Sequence, residues 1–196
     1  MIADSKERLH HQLRVVREAL IWKLDGLSEY DVRRPMTATG TNLLGLVKHR
    51  AYSDARYFGD VFGRPFPGPV PTWNAPEAWK NEHWAAEDET RAEILALHAS
   101  VCAHADATIE ALTIDAPGHV PWWPQPDVQL FTIMVHSLTD TTRHAGHADI
   151  LREQLDGRTG TTAEYESVID FDARESHRAL LEEAARAAHL RSVMPN

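Results

Sequence analysis

The 196-residue chain reads as an all-α protein: a four-helix bundle with a proline-rich crossover loop and a short C-terminal extension. Two observations predict this. Apolar residues recur every three or four positions along four long stretches, the spacing that lines one face of a helix. The two proline-dense segments fall between those stretches rather than inside them, where they would break a helix. With 43% hydrophobic and 25% charged residues the chain can bury a substantial core, so residues 1–196 are expected to form one domain, with the bundle core at about 5–160 and the extension at 161–196.

The first stretch carries Leu9, Leu13, Val16, Leu20 and Leu24, with Asp4 or Ser5 available as N-cap and Gly26 as its stop. A turn-rich connector, Arg33 to Gly40, leads to Thr41, which can cap a second helix beginning Asn42-Leu-Leu-Gly-Leu-Val-Lys-His49 and running to about Phe62. Five of the eleven prolines lie between Pro65 and Pro76, the reading of a long crossover loop. The third helix spans about Glu87 to Leu112, with Ile94, Leu97, Val101, Ala105, Ile109 and Leu112 in phase. A second proline-rich segment, Pro117 to Pro126, precedes Asp127, a candidate N-cap of the fourth helix, which Gly157 terminates. Beyond it, Tyr165, Val168, Ile169 and Phe171 suggest an extended apolar segment across the bundle, followed by a short helix near Arg174 to His189.

The charge balance excludes several functions. A formal net charge of −9, with basic residues scattered, disfavours nucleic acid as a partner. No apolar run approaches the roughly 20 residues of a membrane span. The N-terminal Met1-Ile-Ala-Asp-Ser-Lys-Glu-Arg lacks the apolar core of a secretory signal. The lone Cys102 rules out an intrachain disulfide or a cysteine zinc cluster and reads as a packed hydrophobe rather than a nucleophile. A soluble cytoplasmic protein without a membrane partner is expected. Neither a Gly-rich phosphate loop nor a nucleotide fingerprint is present.

The chemistry concentrates on the fourth helix. At roughly 100° per residue, His136, Asp140, His144 and His147 project within an arc of about 80°. Imidazole nitrogens and a carboxylate oxygen suit a borderline divalent cation such as zinc. The pair of Glu-x-x-His motifs of di-iron bundles is lacking, which favours a mononuclear site. Asp140 and His144, one turn apart, would supply two ligands. The best third is His49, because Leu43, Leu46 and Val47 direct that face of the second helix to the core. Three protein ligands leave a coordination position for water or substrate. The structural alternatives are an ordinary acid–imidazole helix pair for Asp140 and His144, and a hydrogen-bonded core histidine for His49. His147 can be a fourth ligand, a group bonded to a ligand, or a proton shuttle. His136 reads as a packing residue, Arg143 and Arg152 as outward-facing or acid-paired. Trp122 and Trp123 either wall the cleft or seal the bundle end.

Asn42 to His49, together with Asp140-Thr-Thr-Arg-His144-Ala-Gly-His147-Ala-Asp-Ile-Leu-Arg152 and Leu27 to Met36, resembles the DinB/YfiT-like superfamily of metal-binding four-helix bundles over roughly residues 5–160. The likeness is to an actinobacterial DinB-like branch related to the N-terminal domain of mycothiol-dependent maleylpyruvate isomerase. It implies zinc or nickel held by His49, Asp140 and His144, with Asp140 standing where the related pattern has Glu or His. Its shorter side chain draws an ion closer to the helix or weakens that ligand. The resemblance further implies a thiol cofactor such as mycothiol or bacillithiol, and S-transfer, isomerisation or hydrolysis of a small molecule, with His147 as candidate catalytic base. By analogy it implies a homodimer. The alternative is a non-catalytic metal-binding stress-response or dimeric interaction protein. A site left without a metal is the third reading, its polar groups satisfied by water and internal hydrogen bonds.

Overall fold

The structure, a computed structural model, describes residues 2–71 and 81–193. The chain is mostly helical. Four helices pack around one interior: α1 (Ile2–Trp22), α3 (Leu43–Phe58), α4 (Arg91–Ala111) and α5 (Leu130–Asp156). A short α2 (Glu29–Arg33) joins α1 to α3, and α6 (Phe171–Val193) ends the chain. Helix α3 packs on α4 and α1 on α5, while α3 also crosses α5, so the four share one interior.

That interior has three levels. One apolar cluster gathers Leu13, Phe58, Ala105, Ile109, Leu130, Ile133 and Met134. A second gathers Leu20, Leu24, Leu43, Leu44, Val47, Ile94, Ala148 and Leu151. On each long helix one or more buried polar residues fall between the members of these two clusters: Arg17 on α1, Arg50 and Asp54 on α3, His98 on α4, Ser137 and Thr141 on α5. Removing these groups from water is tolerable because most of them are paired with one another.

The helix boundaries follow local chemistry, and several differ from the sequence expectation. Asn42 rather than Thr41 caps α3, its side-chain oxygen accepting from the Gly45 amide at 2.8 Å. The helix stops at Phe58, and a 3₁₀ turn over Asp60–Phe62 continues it. Helix α4 starts at Arg91, four residues later than expected, because Thr90 and Glu93 form a reciprocal capping box. Asp127 is no helix cap: it lies in strand β2 (Asp127–Gln129), antiparallel to β1 (Pro117–His119), and α5 begins only after Gln129, which makes no side-chain cap. Gly157 does end α5, at φ +73°, where a side chain would be strained. Helix α2, unforeseen, is five residues long, capped by Ser28, and buries one apolar side chain, Val32.

The proline-rich crossover carries no regular structure over residues 64–71; Pro76 lies outside the described residues. Where the chain returns, the segment from Glu82 to Glu89 is bound to the helices. Lys48 donates to the Trp84 carbonyl at 3.1 Å and pairs with Glu89 at 2.7 Å, and Arg33 reaches the carbonyls of Ala86 and Glu89 at 3.1 and 2.7 Å.

The tail departs furthest from expectation. Tyr165 and Val168 are 67% and 65% exposed, with Ser167–Val168 forming a two-residue pair with Arg158–Thr159, so they do not run as an apolar strap across the core. Helix α6 has 23 residues, longer than expected, and leaves Leu180, Leu181, Leu190 and Val193 exposed. No helix of the described residues is long and apolar enough to cross a membrane.

Candidate metal centre

His49 sits near the middle of α3, on the turn after the buried Leu46 and Val47. Asp140 and His144 occupy successive turns of α5, which crosses α3 at this level. The structure brings all three together. Asp140 lies between the imidazoles, with Oδ1 3.5 Å from His144 Nε2 and Oδ2 3.9 Å from His49 Nε2. The His49 and His144 rings meet edge-on, their centroids 4.8 Å apart. One ligand atom from each residue falls within 4.8 Å of the others.

These separations suit a divalent ion. Two atoms held about 2.0–2.1 Å from a tetrahedral zinc lie ~3.3 Å apart, a little closer than the 3.5 and 3.9 Å found here. The mixed nitrogen and carboxylate donors match a borderline cation. His144 Nδ1 is buried without a hydrogen-bond partner in the structure, while Nε2 is the nitrogen nearest Asp140. The three side chains are only partly covered, and His144 lines a cleft of about 550 Å³ with Thr39, Asn42, His83, Trp84 and His147.

Burial and neighbouring charges set the ionisation of these groups. Burial pushes the His49 imidazole below its ordinary pKa, against the pull of its hydrogen bond to Glu82, so it is neutral near pH 7, and its Nε2 has the Ser53 hydroxyl 3.5 Å away. Burial raises the Asp140 carboxyl, but the hydrogen bond from His144 and the Arg50 guanidinium outweigh it and hold the group well below the usual carboxylate range. Arg50 grips Asp140 Oδ2 and, with its other nitrogen, Asp54 Oδ1. Ser137 joins them, accepting from Arg50 at 2.9 Å and donating to Asp54 at 2.7 Å. Arg17 pairs with Asp54 and Asp106, both at 2.8 Å, and His10 reaches Asp106 at 3.0 Å.

Residues that the sequence reading passed over complete the picture. Glu82, returning from the crossover and 5% exposed, accepts from His49 Nδ1 at 2.9 Å and from Arg56 at 2.7 Å. His83 stacks on His49 with centroids 4.2 Å apart, and His49, Glu82 and His83 form a second group close enough to hold an ion. Nothing periodic marks Glu82 or His83, which stand in a loop. Arg50, Asp54 and Arg17 are charges at core positions, invisible to an apolar pattern.

The remaining candidates separate. His147 is exposed, 5.7 Å from His144 between ring centroids, and faces the cleft. His136 packs instead against Tyr57 and Trp123, at 4.6 and 4.9 Å, away from the three converging ligand atoms. Trp122 and Trp123 close on Tyr57 at 5.7 and 5.9 Å and sit with the first apolar cluster. Arg152 is buried and pairs with Asp156 at 2.8 Å. Cys102 touches His98 at 3.7 Å, and burial pushes its thiol up to about 12, so it is protonated and a poor nucleophile.

The helical interior thus sets a histidine of α3 against an acid–histidine pair one turn apart on α5, a group of side chains that could hold a metal ion, with a cleft beside it. The family model described as mycothiol-S-transferase matches residues 8–157, from the second turn of α1 to the glycine that ends α5. The chain belongs to that family, within the DinB-like superfamily. No match is found among curated proteins.

Proposed function

We propose that the chain is a divalent-metal-dependent S-transferase that uses a low-molecular-weight thiol of the mycothiol type, on a four-helix bundle. His49, Asp140 and His144 hold the ion, zinc or nickel, and the cleft takes the thiol and a small electrophilic acceptor. The observation that carries this reading is the convergence of two imidazoles on one carboxylate beside an open cleft. When bound, the ion supplies a positive charge that lowers the pKa of a thiol or water.

The protein's own groups do the rest. His147, at the cleft, accepts the thiol proton. The sulfur lone pair forms the new S–C bond at the acceptor, and the leaving group departs with the electrons of its own bond to carbon. Arg50 keeps Asp140 ionised and fixed in orientation. Charge supports an anionic thiol: Asp140, Glu82, Asp54 and Asp106 exceed Arg50, Arg56 and Arg17 by one negative charge, which a divalent cation turns to one positive. A thiolate then neutralises the cluster. The reading treats residues 1–196 as one cytoplasmic domain, where small thiols stay reduced. It also takes the chain as a homodimer, the second copy covering the apolar residues left open on α6.

Elemental analysis of tag-free protein tests the centre. About one zinc or nickel per chain is expected, lost in His49→Ala, Asp140→Ala and His144→Ala. Loaded protein is then expected to consume a thiol and an alkyl or epoxide acceptor in equal amounts. No metal after reconstitution would overturn the reading.

A further inference from the structure

The group of His49, Glu82 and His83 has the right residue types for an ion, and both Glu82 oxygens accept side-chain hydrogen bonds. Oε1 accepts from His49 Nδ1 at 2.9 Å and Oε2 from Arg56 Nη2 at 2.7 Å. Arg56 is itself 5% exposed, so the carboxylate is held from behind by a buried cation. In a neutral imidazole one nitrogen donates and the other carries a lone pair. A carboxylate on Nδ1 places the hydrogen there and leaves the lone pair on Nε2, which has the Ser53 hydroxyl 3.5 Å and Asp140 Oδ2 3.9 Å away.

Glu82 reaches this place because the chain returning from the crossover lies directly on α3. The seat is Gly45: a Cβ there would fall 1.9 Å from the His83 carbonyl oxygen and 2.6 Å from its carbon. Lys48, one residue before His49, then ties the Trp84 carbonyl at 3.1 Å. Glu82, His49 and Arg56 are thus fixed relative to one another by backbone contact as well as by hydrogen bonds.

We infer that Glu82 is a positioning residue of the metal centre: it orients His49 and selects its Nε2 as the ligand atom, acting on the ion through the imidazole. This rests on the proposed metal reading. Groups that bond the far nitrogen of a metal-bound histidine raise its basicity and fix its ring, and their loss weakens metal binding about 10–100-fold.

The test compares wild type, Glu82→Ala, Glu82→Gln and His49→Ala by zinc affinity and by long-range ¹H–¹⁵N correlation spectra of the metal-free proteins. In wild type, the His49 spectrum is expected to report hydrogen on Nδ1. Glu82→Ala is expected to bind zinc about 10–100-fold more weakly and to show a shifted or mixed tautomer. Glu82→Gln keeps an acceptor and the contact to Arg56 but not the charge, so it folds as wild type, retains the Nδ1–H tautomer and falls between the two in affinity. It carries the comparison if the alanine variant does not fold. Equal zinc affinity in wild type and the Glu82 variants would overturn the inference while leaving the metal centre intact. Failure of wild type to bind zinc or nickel, or unchanged binding in His49→Ala, would instead overturn the metal reading itself, and the tautomer spectra would still report whether Glu82 orients His49.

Discussion

Gly45 and His83 meet backbone to backbone: a single methyl on the first would overlap the carbonyl of the second, at 1.9 Å. The contact joins α3 to the segment returning from the crossover and carries Glu82 onto His49. A glycine one turn before a candidate ligand therefore serves a packing need.

Gly45→Ala sets two effects against each other. Alanine favours a helix over glycine by about 1 kcal/mol. Overpacking against backbone, which cannot rotate away, costs typically about 1–3 kcal/mol and occasionally more. Steric cost is expected to win, lowering stability in urea unfolding and weakening zinc binding although no ligand is altered. A more stable variant with wild-type zinc affinity would contradict this.

Arg50 is fully buried between Asp140 and Asp54. Arg50→Met keeps an unbranched but shorter side chain and removes one of the two cations on the buried Asp54, Arg17 remaining; loss of a buried partner costs up to roughly 3–5 kcal/mol. Chemical denaturation should show that loss; a change below about 1 kcal/mol, the worth of an exposed pair, would mean the network relaxes freely.

His147→Ala separates binding from chemistry. Metal content is expected to stay at the wild-type ratio, while turnover of the thiol falls about 100-fold or more, the scale of a lost general base. Loss of the ion in this variant would make His147 a ligand instead.

His98 predicts an acid-sensitive core. Burial pushes its imidazole down to about 4, so the folded state takes up no proton where an unfolded histidine, with a pKa near 6.5, does. Stability is expected to be unaffected by this group above about pH 6.5, to fall as pH drops from there to about 4, and to level off below. The full drop is on the order of 3 kcal/mol. Urea midpoints measured across pH 4–7 should show a shallower slope in His98→Gln than in wild type, and parallel curves would refute the assignment.

The long helices and the approach of His49 to Asp140 and His144 are legible because their signals are local. His144 lies one turn after Asp140, and Leu43, Leu46 and Val47 report which way His49 points. Glu82, 33 residues from His49, and Arg50, 90 from Asp140, are linked to the site only by tertiary approach. Asp127 shows a local preference overruled: its capping tendency lost to backbone pairing with His119 in the hairpin. Tyr165 and Val168 misled because apolar character in a short segment does not say whether a partner surface exists.

The run from Asp106 through Arg17, Asp54 and Arg50 to Asp140 alternates sign as it passes among α4, α1, α3 and α5. Leucine against leucine tolerates sliding, whereas a one-turn slip of α3, about 5.4 Å, would set Arg50 and Asp54 against the wrong neighbours. The buried charges therefore act as a key that admits one alignment of the helices, and the spacing between His49 and His144 is set by that key before any ligand arrives.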